Sequence, residues 1–242
     1  GTPIYTLYHG LDTKLFTPPP KEKEPIGVPT ILSVGRFVEK KGFPYLIDAC
    51  RILKHKGLSF KCRIIGQKDE ESELVANMIQ EFGLEDTVTI EGGMTQDELK
   101  EAYAGSAIFA LPCFIVDSGD RDGIPNVLAE AMASGRAVVS TNISGIPEIV
   151  EHEVNGLLVP QKNAVALAKA LEQLLQNPDL RAELGQAARA KVCEMFDSET
   201  TTVFLKDLFT TCLSNYSKDE AKTVKTSASP KNEEPSSAFA SS

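Results

Sequence analysis

The hydrophobic positions of this chain fall into two alternating patterns. Short, nearly continuous apolar runs predict buried strands, and several of them end at Gly or Pro. We predict strands at residues 30–34, 60–65, 87–90, 108–111, 137–140 and 156–159. Between the runs lie longer segments whose apolar residues recur at helical spacing. We predict helices at residues 45–54, 72–82, 96–104, 125–133, 164–175, 179–195 and 203–213.

This alternation predicts the fold class. Strands separated by helices of about ten residues favour a parallel, doubly wound α/β sheet of the Rossmann type. Ligands of such sheets bind beyond the carboxyl ends of the strands. Gly35, Gly66, Pro112 and Gly145 lie at these strand ends, so we expect the loops that begin there to form a site.

The two ends of the chain depart from the pattern. We predict an interdomain linker at residues 1–25, before a domain at residues 26–195. Within this linker, the three prolines and the charged run of residues 18–25 predict an extended, solvated connector. A separate C-terminal helix is predicted at residues 196–216. Residues 217–242 are rich in Ser, Lys, Glu and Pro, with almost no aliphatic side chains, and we predict a disordered tail there.

Composition mainly excludes classes of partner. The chain has 242 residues and a formal net charge of −9, which argues against nucleic acid or an anionic surface as a default partner. It has no apolar run of about 18 residues, so we predict no transmembrane segment. The five cysteines are scattered, which favours a reduced, cytoplasmic protein, compatible with a peripheral position on the inner face of a membrane. Because the chain begins with Gly1 rather than Met, we interpret it as a piece of a longer protein.

The most informative segment is residues 122–135, which read DGIPNVLAEAMASG. A short polar loop runs into a helix here, with Asp122 at the mouth of the loop and Glu130 eight residues later. Along a helix, eight steps bring a side chain back to within about 80° of the first, roughly two turns further on. Pro125 suits the first turn of the helix, and Gly123 lets the backbone approach a ligand.

These features favour a nucleotide ligand. The free N–H groups at the start of a helix attract phosphate. A carboxylate deeper on the same helix can accept two hydroxyl hydrogen bonds, as a ribose offers. The geometry therefore indicates a nucleoside diphosphate that carries a sugar.

The segment also resembles the signature of the retaining glycosyltransferases of the GT-B fold, known as group 1 or GT4. That signature is a carboxylate, seven residues and Glu-Ala, usually followed by Met-Ala-x-Gly. The common form has Glu first, so Asp122 keeps the charge and shortens the reach by one methylene. Ser144 stands where the family often has Gly. The resemblance runs from about Tyr8 to about Phe209 and rests on residues 33–42, 64–66, 111–112, 122–135, 144–148 and 155–159.

The resemblance implies that this chain is the C-terminal, donor-binding half of a GT-B enzyme. Arg36 and Lys41 match positions that grip the donor pyrophosphate, whereas Lys40 is interpreted as a solvated neighbour. Glu130 would hold the ribose and Asp122 would contact the donor sugar, so these four matched residues are the predicted catalytic set. The predicted donor-binding residues are Gly35, Arg36, Lys41, Gly66, Asp122, Gly123, Ile124, Pro125, Asn126 and Glu130.

The same resemblance implies no cofactor and no metal. Asp117, Asp120 and Asp122 form an acidic group, but members of the family usually bind pyrophosphate with protein groups. Residues 8–18 resemble the interdomain hinge of the family, and residues 203–213 resemble the helix that crosses back to the first domain. An acceptor glycan or lipid-linked sugar would bind to the missing N-terminal domain, so the isolated chain is expected to be inactive.

Two other functions stay open at this stage. One is a sugar-nucleotide epimerase or a phosphorylase of the same fold, although no pyridoxal-binding lysine is identified. The other is a non-catalytic nucleotide-sugar-binding subunit whose acceptor half lies on another chain. The donor base, the sugar and the acceptor are not readable from the sequence.

Overall fold

The computed structural model describes residues 4–20 and 27–227. Strands and helices alternate through these residues, as predicted. The strands are β1 (Thr30–Val34), β2 (Lys61–Ile65), β3 (Val88–Glu91), β4 (Ile108–Leu111), β5 (Ala137–Thr141) and β6 (Leu157–Val159). The α-helices are α1 (Phe43–His55), α2 (Ser72–Glu81), α3 (Gln96–Ala104), α4 (Asn126–Ala133), α5 (Ile146–Ile149), α6 (Ala164–Gln176), α7 (Pro178–Met195) and α8 (Ser198–Ser227).

The strands form one parallel sheet in the order β3-β2-β1-β4-β5-β6. The chain winds outward from β1 in one direction and from β4 in the other. Because β1 and β4 are neighbours, the loops that follow them diverge and leave a crevice at the carboxyl edge. The predicted doubly wound, Rossmann-like α/β fold is confirmed.

Helices cover both faces of the sheet. The right-handed crossover rule places α1 and α2 on one face and α4 on the other. Accordingly, α1 packs against α2 and α6, and α4 packs against α7. Every residue of β4 and β5 is buried, as expected for central parallel strands with both faces covered.

Two predicted helix starts compare differently with the structure. The predicted capping box of α3 is present: the Thr95 side chain accepts from the Glu98 N–H, and the Thr95 N–H donates to Glu98 Oε2 at 2.7 Å. In contrast, α4 begins at Asn126 rather than at Pro125. The ψ angle of Pro125 is 125°, so this residue is extended and precedes the helix.

Part of the predicted interdomain linker at residues 1–25 packs on the domain, ahead of the three prolines. The side chain of Phe16 is completely buried in the main core. Leu11 pairs with Asp197 in an isolated bridge, and the Arg189 guanidinium donates to the Phe16 carbonyl at 2.9 Å. Burying an aromatic ring is worth roughly 1.5–3 kcal/mol, enough to bind this segment to the domain. Residues 1–3 and 21–26 lie outside the described residues.

The C-terminal helix also differs from its prediction, because α8 continues to Ser227 rather than ending at residue 216. Residues 217–227 of the predicted disordered tail are therefore helical. Their Lys, Glu and Ala residues favour a helix, and neither Gly nor Pro interrupts them. The low apolar content of this segment argues against packing on the core, but it does not argue against helix formation. Residues 228–242 lie outside the described residues. Within the part of the chain that is described, none of the helices has the length and apolarity needed to cross a bilayer.

Gly66 holds the ends of β1 and β2 together. A Cβ at this position would lie 1.7 Å from the carbonyl oxygen of Gly35, which is backbone and cannot yield without moving a strand end. We expect Gly66→Ala to lower the free energy of unfolding by about 3 kcal/mol or more. Gly92→Ala is the matched control, since a Cβ there meets none of the described atoms within 4 Å. Denaturant unfolding of both variants checks this, and equal stabilities would contradict it.

Candidate functional site

The loops after β1 and β4 meet at the crevice where the strand order reverses. A 3₁₀ turn at Glu39–Lys41 and Gly42, with φ of 70°, lead the chain from β1 into α1. A Cβ at Gly42 would lie only 2.1 Å from the Pro112 carbonyl oxygen. The Phe114 N–H also donates to the Lys40 carbonyl at 3.0 Å. Backbone contacts therefore hold the two loops together and set the distances between their side chains.

Lys41 and Asp122 form the central ion pair of this site. The Lys41 Nζ donates to Asp122 Oδ2 at 2.7 Å, and the two side chains are only 13% and 18% exposed. The Lys41 stem crosses Gly35, where a Cβ would lie 3.4 Å from Cδ and Cε of the lysine. Gly35 therefore makes room for Lys41. The Cys113 thiol donates to the same Oδ2 at 3.5 Å, and burial raises the pKa of Cys113 to about 12, which keeps the thiol protonated.

Lys40 is not the solvated neighbour that the sequence predicts. Its side chain is 18% exposed, and its Nζ lies 3.1 Å from Asp120 Oδ1 and 3.8 Å from Asp122 Oδ1. This hydrogen bond holds the pKa of Asp120 below its usual value. Both lysines of the loop thus face carboxylates of the loop after β4, an arrangement that depends on β1 and β4 being neighbours.

Arg36 lies apart from the Lys41–Asp122 pair. Its side chain is 62% exposed, and its closest carboxylate oxygen is Asp69 Oδ2 at 3.8 Å. It shares a small cleft of about 200 Å³ with Lys40 and Asp120. Of the four predicted catalytic residues, the structure therefore joins Lys41 and Asp122 directly and leaves Arg36 exposed at the edge of the crevice.

Asp122 and Glu130 do not share a helical face, which corrects the angle expected from their spacing. Asp122 lies in the loop before α4, so only Glu130 is on the helix. Burial raises the pKa of Glu130, and a hydrogen bond from the Tyr103 hydroxyl to Oε2 at 2.9 Å acts in the opposite direction. The two carboxylates thus have different partners: a lysine for Asp122 and a phenol for Glu130.

Glu130 lines a cleft of about 440 Å³. Asn126, Ile124 and Ala129 line the same wall, and Gln96 contributes from α3. The opposite wall is formed by the N-terminal segment and by one aromatic ring, and comprises Leu7, Tyr8, His9, Gly10, Leu11, Asp12 and Phe196. A volume of this size lies within the range of small-molecule sites in proteins.

The loop before α4 is supported from behind by the loop after β5. A Cβ at Gly145 would lie 2.9 Å from Cγ1 of Ile124 and 3.4 Å from the carbonyl carbon of Gly123. Ser144 adopts a φ of 50° in the same turn. This left-handed conformation suits Gly, and it accounts for the Gly that the family pattern often has at this position.

Sequence reasoning missed two tyrosines of the site. Tyr103 contacts Glu130, and Tyr8 donates to Glu148 Oε2 at 2.8 Å while stacking on Phe196. This hydrogen bond raises the pKa of Tyr8. For Tyr103 the available signal was a hydroxyl at an apolar position of a predicted helix, a position that periodicity assigns to the core. Gly66 packs against Gly35, and its contact with the donor stays a prediction.

The acids near the crevice are paired with cations. Asp120 and Asp122 contact Lys40 and Lys41, and Asp117 lies 3.7 Å from Lys162. Among the residues that the structure describes, His, Cys, Asp and Glu side chains form no cluster of three or more with the geometry of a metal site. The positive charge beside these carboxylates comes from lysine ammonium groups.

Comparison with known proteins adds a family to this geometry. The family described as "Glycosyl transferases group 1" matches residues 17–191. The amylovoran biosynthesis glycosyltransferase AmsK of Erwinia amylovora is 46% identical over 162 residues, which cover 67% of this chain and 40% of that protein. A GDP-mannose-dependent alpha-(1-6)-phosphatidylinositol monomannoside mannosyltransferase of Mycobacterium tuberculosis is 30% identical over 206 residues, covering 82% and 53%.

Comparison with solved structures finds an enzyme with a similar fold. The sucrose-phosphate synthase of Thermosynechococcus elongatus superposes with a TM-score of 0.75 at 26% sequence identity. The match covers 86% of this chain and 52% of that one. This chain therefore spans about half the length of the relatives that it matches.

Proposed function

Because this chain belongs to the group 1 glycosyltransferases, we propose that it binds a nucleoside-diphosphate sugar as the donor-binding half of a transferase. The transferase moves a hexose to an acceptor hydroxyl with retention of configuration. The observation that carries the proposal is the Lys41–Asp122 pair, which holds a lysine cation beside the loop that leads into α4, at the crevice between β1 and β4. A cation and free backbone N–H groups at one point form an anion site.

The diphosphate is assigned to this convergence. One of the three N–H bonds of the Lys41 ammonium points at Asp122, so two are available to phosphate oxygens. The exposed Arg36 side chain can add a second cation, and the first-turn amides of α4 add partial positive charge. As the bond from sugar to phosphate breaks, charge grows on the departing diphosphate, and these groups stabilise it. Asp122 holds Lys41 in place and contacts the donor sugar.

The nucleoside is assigned to the cleft that Glu130 lines. The carboxylate accepts hydrogen bonds from the ribose hydroxyls and thereby fixes the distance between the sugar and the cations. Ile124 and Asn126 line the same cleft, and Gly123 directly precedes them in the loop. The Mycobacterium relative is named for GDP-mannose. Titration of UDP, GDP and ADP identifies the base that this chain prefers.

The acceptor is assigned to the part of the transferase that lies outside the region matched between this chain and its relatives. The relatives are about twice as long as the matched region, and the Erwinia protein is named for the biosynthesis of a polysaccharide. We propose a glycan or lipid-linked sugar as the acceptor class. The chain alone is then expected to bind donor nucleotide but to transfer no sugar.

Nucleotide binding without metal tests the proposal. UDP, GDP and ADP are titrated calorimetrically into the chain in excess chelator, with inorganic pyrophosphate as the reference ligand. We expect at least one nucleotide to bind more tightly than pyrophosphate, because the lysine and the helix start supply the positive charge. Binding that vanishes in chelator and returns with Mg²⁺ would contradict the metal-free assignment. Failure of all three nucleotides, with or without Mg²⁺, would overturn the proposed function.

A further inference from the structure

Tyr103 is a core residue whose only polar side-chain atom contacts Glu130. Its side chain is completely buried, and its hydroxyl lies 2.9 Å from Glu130 Oε2 and 3.3 Å from the Val127 carbonyl oxygen. A hydroxyl has one hydrogen to donate, and the shorter contact to a carboxylate takes it. The bond joins α3 to α4 inside the domain, at the back of the cleft that Glu130 lines.

The position of this hydroxyl is set by the packing of its ring. Phe16 lies edge-on to the Tyr103 ring with centroids 5.9 Å apart, and Phe109 of β4 is tilted against it at 5.8 Å. The Phe16 carbonyl is itself held by Arg189. Two aromatic contacts and the surrounding core therefore leave the ring little freedom to rotate the hydroxyl away from α4.

The hydrogen bond makes the two carboxylate oxygens of Glu130 different. Oε2 is held by Tyr103, whereas Oε1 accepts no hydrogen bond from any residue that the structure describes. Burial raises the pKa of Glu130, and the bond from Tyr103 lowers it. The phenol therefore both orients the carboxylate and favours its ionised form, which has the greater capacity to accept hydrogen bonds.

We propose that Tyr103 is a positioning residue for the nucleotide: its hydroxyl holds Oε2 of Glu130 so that Oε1 accepts the ribose hydroxyls. This inference rests on the proposed function, because it assumes that Glu130 binds ribose. It adds to the site a buried residue of α3 that does not itself line the cleft. Preorganisation of this kind reduces the cost of ordering the carboxylate when the ligand binds.

Tyr103→Phe tests the inference, because it removes one oxygen and keeps the ring. The probe is the tightest binder among UDP, GDP and ADP, titrated calorimetrically beside pyrophosphate and the 2′,3′-dideoxy form of the same nucleotide. We expect nucleotide affinity to fall about tenfold, since hydrogen bonds to charged groups are stronger than neutral ones. Affinity for pyrophosphate and for the dideoxy nucleotide should stay within about twofold of the parent. Tyr45→Phe, on a partly exposed ring, is the matched control.

The pH dependence of nucleotide affinity distinguishes a positioning role of Tyr103 from a packing role. Nucleotide affinity should be present above the pKa of Glu130 and lost as the pH falls through it. Removing the Tyr103 hydroxyl removes an interaction that lowers this pKa, so the loss should begin at a higher pH in Tyr103→Phe. A purely structural role would lower the melting temperature without moving this midpoint.

The outcomes distinguish two failures. Unchanged nucleotide affinity in Tyr103→Phe, or an equal loss for the ribo and dideoxy nucleotides, would overturn the inference while the proposed function stands. Absence of nucleotide binding by the parent chain would overturn both. If Tyr103→Phe is too unstable to titrate in buffer, the parent and the variant are titrated in the same stabilising osmolyte, and Tyr103→Phe in a Glu130→Gln background is compared there with Glu130→Gln alone. A further loss of affinity in that background would show that Tyr103 does not act through the carboxylate.

Discussion

Glu130→Gln is expected to weaken the binding of a nucleoside diphosphate by about tenfold or more and to leave pyrophosphate binding unchanged. A carboxylate accepts two hydroxyl hydrogen bonds, and bonds to a charged group contribute roughly 1.5–3 kcal/mol each. The glutamine amide has only one oxygen, and the Tyr103 hydroxyl already donates to one of the two carboxylate oxygens of Glu130. Calorimetric titration of both ligands into the parent and the variant measures the effect.

The fold should survive this substitution. Burial raises the pKa of Glu130, which means that the charged form is disfavoured by its surroundings, and a neutral amide avoids that cost. Glu101→Gln, at an exposed position of α3, is the matched control and should change neither affinity nor melting temperature. Parent-like nucleotide binding by Glu130→Gln, or its simple unfolding, would show that the carboxylate is structural.

Lys41→Ala is expected to weaken nucleoside diphosphate and pyrophosphate alike, by about ten- to a hundredfold, because its proposed partner is the phosphate. It should also destabilise the domain by about 1–3 kcal/mol. The pair with Asp122 is mostly buried. Removing Lys41 leaves the Asp122 carboxylate with the weak Cys113 thiol donor and with Lys40 at 3.8 Å as its cation among the described residues. Titration and denaturant unfolding of the same preparation measure the two effects separately.

Arg36→Ala is the matched control for this prediction, since both cations come from one loop. The Arg36 side chain is exposed and its contact with Asp69 is long, so its removal should leave stability within about 0.5 kcal/mol of the parent. Its effect on ligand affinity should be smaller than that of Lys41→Ala, because an exposed side chain is ordered only when the ligand binds. A larger loss of affinity in Arg36→Ala would assign the phosphate to Arg36 instead.

The double variant that combines Lys41→Ala with Asp122→Asn measures the energy that couples Lys41 to Asp122.

The elements of this fold were predictable because each leaves a local pattern. The run at residues 30–34 reads as a buried strand, and β1 has those bounds. Thr95 and Glu98 lie three residues apart and form the predicted capping box. The group 1 signature identified Glu130 as a candidate before its surroundings were known. Such signals depend only on residues within one or two turns of each other, which is the range that periodicity and capping report.

The partners of the site residues could not be predicted in the same way. Lys41 and Asp122 are 81 residues apart, and Tyr103 and Glu130 are 27 apart. These contacts exist because β1 and β4 are neighbours and because the crossovers place α3 and α4 on the same face of the sheet, both properties of strand order and crossover direction. The exposure of Lys40 was misjudged for the same reason, since its carboxylates come from another loop.

The two chain ends show the same division. Prolines correctly indicate that residues 18–20 do not form a helix or strand, yet Phe16 just before them is buried in the core. Composition alone made residues 217–227 a disordered tail, whereas the helix continues through them. Local sequence thus specifies which backbone conformations are favourable and which side chains carry charge. The arrangement of the sheet specifies which of those side chains leave water together, and the pairs at Lys41 and Glu130 depend on that second step.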